Sequence, residues 1–206
     1  MITVVCVYRT GGDYTAEYVH RLYRSLMCNA METVNFVCLT DSDEDVPGKR
    51  PLTYNWPGWW SKLEVFEIEG PCVYFDLDTV FVGGLDMLFT SLNRRVCNDS
   101  IYMLTPFNAK RREAGLFASG IMAWSGDWRF ITRSYCPDKH VFDGDQDYIN
   151  YIIREDNRTI NPISNLVDGV YSYKWHCLGG MGVPADARII CFHGKPRPHE
   201  VNWGSL

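Results

Sequence analysis

The sequence predicts an α/β fold: a mainly parallel central sheet flanked by helices, in a single domain over residues 1–206. Three observations carry this. A β-branched apolar run opens the chain at residues 2–8 (ITVVCVY), and short apolar runs recur at 35–40, 71–75, 100–105, 119–124 and 189–192. Strands covered on both faces read as continuous apolar runs of this kind. Stretches of helical period stand between them, and a β-α-β-loop-α-β order at this spacing belongs to parallel sheets.

The elements follow in order. Gly11-Gly12 interrupts the first strand, and Asp13 is placed to cap a helix over 14–28, where Tyr18, Leu22 and Leu26 share one face. Residues 35–40 (NFVCLT) form a second strand, and the polar segment 41–57, with Pro and Gly, reads as a loop. Ser61-Lys62-Leu63-Glu64 has the form of a capping box that starts a helix at Ser61. A strand at 71–75 (PCVYF) ends at Asp76; strands at 100–105 and 119–124 and helices at 126–134 and 145–154 follow, with Asp145 a candidate N-cap. Gly179-Gly180-Met181-Gly182 reads as a flexible loop, because no GK[ST] follows it.

Composition excludes several classes. At 46% hydrophobic and 22% charged the chain is not disordered. A net charge of −5 weighs against a general nucleic-acid binder. No apolar run is long enough to span a membrane, and the N-terminus lacks a basic leader and a cleavage site. None of the eight cysteines forms a CxxC pair, so reduced, structural thiols in a cytoplasmic protein are expected. Aromatic residues make up 14% of the chain, enough to line a ligand cleft as well as a core.

The chemistry concentrates in two stretches. In Val73-Tyr74-Phe75-Asp76-Leu77-Asp78-Thr79-Val80, an extended backbone would turn Asp76 and Asp78 to the same side and Leu77 to the other. Adjacent carboxylates raise each other's proton affinity unless a cation lies between them. Mg²⁺ and Mn²⁺ prefer oxygen ligands and often share carboxylates with a substrate phosphate. In Ile189-Ile190-Cys191-Phe192-His193-Gly194-Lys195-Pro196-Arg197, His193 ends an apolar strand and is a candidate third ligand. Gly194 would let the backbone approach a phosphate, and Lys195 and Arg197 would bring positive charge to a departing diphosphate.

The Asp76-x-Asp78 pair and His193-Gly194-Lys195-Pro196 resemble the nucleotide-sugar glycosyltransferases of the GT-A fold, above all the glycogenin-like and galactosyltransferase-like group called family 8. Trp60-Ser61-Lys62-Leu63, Phe117-Ala118-Ser119-Gly120-Ile121-Met122 and Asp145-Gln146-Asp147-Tyr148 are similar to further segments of that group, in the same order. Where the group carries Asn in the second of these, this chain has Ala118.

The resemblance implies a metal-dependent transfer of sugar, with retention, from a nucleotide-diphosphate sugar (a UDP-sugar) to an acceptor hydroxyl. It implies that Asp76, Asp78 and His193 hold Mn²⁺ or Mg²⁺, that Lys195 neutralises the diphosphate, and that Lys62 and Asp145 reach the donor sugar. Tyr8, Arg9, Thr10 and Tyr14 would hold the nucleoside, joined by Asp41; Ser119 and Gly120 would line the sugar pocket; Leu77, Gln146 and Gly194 would complete the donor contacts. Residues 1–105 would then be the nucleotide-binding half and 106–206 the sugar and acceptor half. An inverting enzyme would need a base, for which Asp145 or Asp147 is placed.

The acceptor stays open between a glycan, a protein and a modified DNA base, the last served by a groove of Arg94, Arg95, Lys110, Arg111 and Arg112. Tyr173, Lys174 and His176 are candidates to face it, and Trp59-Trp60 are either core or a stacking platform. A sugar-phosphate nucleotidyltransferase and a non-catalytic sugar-nucleotide-binding protein are the competing readings.

Overall fold

The computed structural model describes residues 1–95, 100–139, 141–178 and 182–201; Cys97, residues 179–181 and the Arg95 side chain lie outside the described part. The strands are β1 (Thr3–Tyr8), β2 (Asn35–Thr40), β3 (Lys49–Pro51), β4 (Cys72–Phe75), β5 (Thr79–Phe81), β6 (Ser100–Leu104), β7 (Ala118–Trp124), β8 (Thr159–Pro162), β9 (Val170–Ser172) and β10 (Ile189–Cys191). The helices are α1 (Ala16–Asn29), α2 (Asp86–Arg95), α3 (Ala109–Glu113), α4 (Phe130–Arg133) and α5 (Asp145–Glu155), with a 3-10 segment at Gly58–Glu67.

Seven strands form one sheet in the order β3-β2-β1-β4-β7-β6-β8. β2, β1 and β4 run parallel, with Tyr8 beside Thr40 and Val5 beside Tyr74. β7 runs against both of its neighbours, β4 and β6. The sheet is thus mixed but mainly parallel, as the apolar runs require: side chains alternate between two faces, and both faces are covered. Val4, Cys6, Val73 and Phe75 pack on one face with Leu22 and Leu26 of α1 and Leu88 and Phe89 of α2. Val5, Val37 and Tyr74 pack on the other with Leu63 and Phe66 of the 3-10 segment, Ile131 of α4 and Ile149 of α5. A smaller sheet, β5-β10-β9, stands beside it. The seven described cysteines all carry free thiols. Among the described residues no helix is long and apolar enough to cross a membrane.

Several local expectations are corrected. α1 starts at Ala16 after Thr15, and Asp13 does not cap it; its carboxylate instead accepts from Arg197 Nη2 at 3.0 Å. The loop 41–57 contains β3, which extends the sheet beside β2. The Ser61–Glu64 capping box does not form. Ser61 lies inside the 3-10 segment and donates to Gly58 O, while the Glu64 carboxylate accepts from Thr53 N and Tyr54 N at 2.6 and 3.0 Å. The helix expected at 126–134 shrinks to α4, because Asp127 accepts from Arg129 N and holds a turn there. Gly144, not Asp145, occupies the N-cap of α5.

Glu64 therefore ties the loop after β3 to the 3-10 segment. Glu64→Ala strands two backbone N–H groups, and urea unfolding should show a loss of about 1–3 kcal/mol.

Candidate active site

The carboxyl ends of β1, β2 and β4 lie side by side, and ligands of open α/β sheets bind at such ends. At the tips of β1 and β2, Asp41 accepts from Thr10 N (2.8 Å) and Thr10 Oγ1 (2.7 Å), with Arg9 Nη1 at 3.3 Å. Burial opposes the Asp41 charge, but the Thr10 and Arg9 contacts hold its carboxyl below the usual range. Arg9 also donates to Asn55 Oδ1, and Tyr8 donates to Glu44. At the tip of β4 the chain does not stay extended: Thr79 N donates to Asp76 O and closes a turn before β5. Leu77, expected among the donor contacts, is instead buried in the core and does not line the cavity of the site.

Two long-range pairings bring the rest of the site to this turn. β7 runs antiparallel to β4, so its first residues arrive at the end of β4, where Asp76 N donates to Gly120 O at 2.9 Å. β10 pairs antiparallel with β5, and Phe192 N donates to Asp78 O at 3.1 Å, which delivers the segment after His193.

Lys62 lies at the centre. Its ammonium is 2.9 Å from Asp76 Oδ1, 3.0 Å from Asp145 Oδ2 and 3.1 Å from Ser119 Oγ, so all three N–H groups have acceptors. Ser119 Oγ donates to Asp145 at 2.7 Å, Ser119 N donates to Gln146, and Tyr74 donates to Asp76 Oδ1 at 2.6 Å. Burial would strip the Lys62 proton, but the Asp145 and Asp76 charges outweigh it and hold the ammonium above its ordinary range. Lys62, expected to reach the donor sugar, is a buried cross-link between the β4 tip and the α5 N-terminus, with its ammonium on Asp76, Asp145 and Ser119. Asp145 sits in the first turn of α5, where the helix dipole also favours its charge.

Asp78 has a second cation. Its Oδ2 accepts from Arg197 Nη1 at 2.6 Å and from Tyr14 at 2.8 Å, so Tyr14 serves the carboxylate rather than the tips of β1 and β2. Burial first, and the Asp76 charge second, push the Asp78 carboxyl up to about 7, against the pull of Tyr14, Arg197 and Lys62. Lys195, the expected diphosphate partner, points elsewhere: its side chain is 79% exposed and pairs with Glu200 at 2.9 Å. Gly194 lies beside it in the left-handed region at φ 76°.

Asp76, Asp78, Ser119, Gly120, Gln146 and His193 line one cavity of about 290 Å³, together with Phe107, Asn108, Lys174 and Trp175. His193 Nε2 is bonded to Ser172 Oγ at 2.6 Å, and its ring stacks on Phe107. Burial, with the Lys174 and His176 charges, lowers its proton affinity. Among the described residues no three His, Cys, Asp or Glu side chains converge as a metal-holding group. Asp76 and Asp78 nevertheless suit a hard cation. A Cβ on Gly120 would come 3.1 Å from Asp76 Oδ2, so glycine keeps that oxygen uncrowded, and the Asp78 carboxyl, raised first by burial and then by the Asp76 charge, is one that a cation would relieve.

Arg197, Phe107 and Ser172 were missing from the expected set or undervalued in it. Arg197 was visible as one of two cations, but its direction is set by the tertiary path. Trp60 is core, stacked on Tyr135, whereas Trp59 is exposed. Asp147 is paired with Arg111, and Arg112 donates to the carbonyls of Pro106 and Phe107, so these arginines do not form a free basic groove. Tyr173 stacks on Phe192, and His176 accepts from Ser172 N.

No protein-family model and no curated protein matches the sequence. Solved structures do. The chain superposes on the galactosyltransferase LgtC in complex with donor and acceptor sugar analogues (TM-score 0.62, 13% identity, 95% of this chain and 88% of that one). It superposes on the glycosyltransferase GlyE of Streptococcus pneumoniae TIGR4 (TM-score 0.58, 12% identity, 99% and 56%) and on the bifunctional glycosyltransferase WbbM (TM-score 0.61, 12% identity, 96% and 46%). The chain spans about half the length of GlyE and WbbM. At these identities the likeness concerns the fold, which is that of GT-A glycosyltransferases.

Lys62→Met leaves Asp76 and Asp145 buried without their cation, and urea unfolding at pH 7 should show a loss of about 3–5 kcal/mol. Asp78 gives a pH signature. Its folded pKa of about 7 lies above the ordinary 3.8, so the folded state binds more protons between these values and stability falls as pH rises through that window. With EDTA present, Asp78→Asn should remove this slope, and its stability relative to the native chain should improve by up to about 4 kcal/mol from pH 4 to 7.

Proposed function

We propose that this chain is a metal-dependent glycosyltransferase that moves a sugar from a nucleotide-diphosphate sugar, first of all a UDP-sugar, to an acceptor hydroxyl. One observation carries the reading: on a fold shared with sugar transferases, the tip of β4, the start of β7, the start of α5 and the segment after β10 bring Asp76, Asp78, Ser119, Gly120, Gln146 and His193 around one cavity. LgtC, of which this chain covers 88%, binds donor and acceptor sugar analogues, which favours the same two ligand classes here.

In this reading Thr10, Asp41 and Arg9 meet the nucleoside at the tips of β1 and β2. Asp76 and Asp78 hold Mn²⁺ or Mg²⁺, with His193 joining them once its Nε2 leaves Ser172. When bound, such an ion offsets the negative charge that develops on the departing diphosphate.

The chain's own groups do the rest. Lys62 bridges Asp76 and Asp145 and fixes both carboxylates, so neither must reorganise during transfer. Gln146, bonded to Ser119 N and lining the cavity, faces the donor sugar, while Asp145 stands behind it on Ser119 Oγ and Lys62. Gly120 gives the sugar room against Asp76. The cation beside the carboxylates is Arg197, with Lys195 left at the surface. Retention follows the family 8 likeness, and the acceptor enters over the rim of Lys174 and Trp175.

A screen of UDP-, GDP- and dTDP-sugars, with and without Mn²⁺, tests this. Mn²⁺-dependent release of UDP is expected. Asp78→Asn should lower kcat/KM by at least about a hundredfold, the scale of a lost preorganised electrostatic group. Native turnover by this variant would overturn the metal reading, and donor binding without release would overturn sugar transfer.

A further inference from the structure

The Asp76–Asp78 pair already has two cations of its own, and they are held very differently. Lys62 cannot leave: its side chain is 11% exposed and each N–H has a buried or half-buried acceptor. Arg197 is held on one side only. Nη1 reaches Asp78 Oδ2 at 2.6 Å and Tyr14 Oη at 2.9 Å, and the guanidinium lies 4.9 Å from the Tyr14 ring centre. Nη2 reaches Asp13, whose side chain is 74% exposed, and pairs of that kind contribute little. Its Nε is buried with no hydrogen-bond partner, a cost that a better-satisfied position would remove. The guanidinium is therefore drawn to this place by the Asp78 charge.

We propose that Arg197 is an internal counter-ion: it holds Asp78 while no divalent ion is bound and must release that carboxylate before the ion can take it. The inference rests on the reading of Asp76 and Asp78 as metal ligands. Two cations on one carboxylate repel each other, so binding of the ion and the Arg197–Asp78 pair are mutually exclusive or strongly opposed. Without nucleotide the site then binds the ion weakly, because Arg197 competes. Asp78 itself stays in place, since its carbonyl accepts from Phe192 N and Tyr14 still bonds its carboxylate. Metal affinity thereby becomes coupled to the position of Arg197, whose backbone N is held by Glu200 at 2.7 Å, while the exposed Lys195–Glu200 pair beside it contributes little.

The test is Mn²⁺ titration without nucleotide, followed by loss of the free-ion EPR signal, on the native chain, Arg197→Ala and Lys195→Ala. Near-UV circular dichroism checks folding, and Arg197→Met, which keeps the aliphatic stem, replaces the alanine variant if that fails to fold. Removal of the Arg197 guanidinium should tighten Mn²⁺ binding about tenfold, a change on the scale of one close competing charge. Lys195→Ala removes the same charge from the same segment without touching Asp78 and should stay within about twofold. Equal or weaker binding by the Arg197 variant overturns the inference and leaves the metal reading intact. Equal tightening by Lys195→Ala also overturns it, since the effect would then be general charge. No Mn²⁺ binding by folded native chain and folded Arg197 variant overturns the metal reading and the inference with it.

Discussion

The ammonium of Lys62, set between Asp76 and Asp145, is the interaction on which the site depends. Two carboxylates reach one buried point from elements far apart in sequence, and without the cation they could not share it. One contact thus joins the tip of β4 to the first turn of α5 through the 3-10 segment that carries Lys62. Ser119, at the start of β7, closes the network from the fourth side. Its hydrogen bonds fix a carboxylate orientation that bulk water would not impose.

The sheet supplies the other half of the constraint. Parallel β2, β1 and β4 put their carboxyl ends on one edge, where Thr10 meets Asp41 and where Asp76 leaves the sheet. The reversal of β7 brings the start of that strand to the same edge instead of its end, which is why a Ser-Gly pair faces an Asp from β4. The β5–β10 pair does the same for the C-terminal segment, delivering His193 on one side and Arg197 on the other. The cavity therefore lies between a rigid, cross-linked wall and a wall carried by shorter elements, where Lys174, Trp175 and the segment after β10 stand.

Local pattern was readable where one force acts alone. The strands β1, β2 and β4 follow from continuous apolar runs, and α1 from the four-residue recurrence of Tyr18, Leu22 and Leu26. It misled where a polar side chain had a choice of partners. Glu64 fits a capping box by spacing, yet its carboxylate takes the backbone N–H groups of Thr53 and Tyr54. Asp13 is a cap by residue type, yet the helix starts two residues later than that reading needs and its carboxylate meets Arg197. Lys195 and Arg197 are equivalent in a linear reading; two residues apart, they end in different surroundings, one in solvent and one on Asp78.

By itself the sequence determined the five inner strands β2, β1, β4, β7 and β6, though not the edge strands β3 and β8, and the presence of an Asp pair after a buried strand, because apolar periodicity and charge type are local properties of the chain. It also placed Ser119, Gly120, Asp145 and His193 among the residues of interest. Only the tertiary structure decided what these groups do to one another: that Lys62 is buried and shared, that Asp78 is held by Arg197 and Tyr14, and that His193 rests on Ser172. The physical reason is distance. Coulomb attraction, desolvation and hydrogen bonding act over a few ångströms. The partners here are separated by between 14 and 119 residues, as with Lys62–Asp76 and Asp78–Arg197, and they sit on different elements, so no single strand or helix contains both ends.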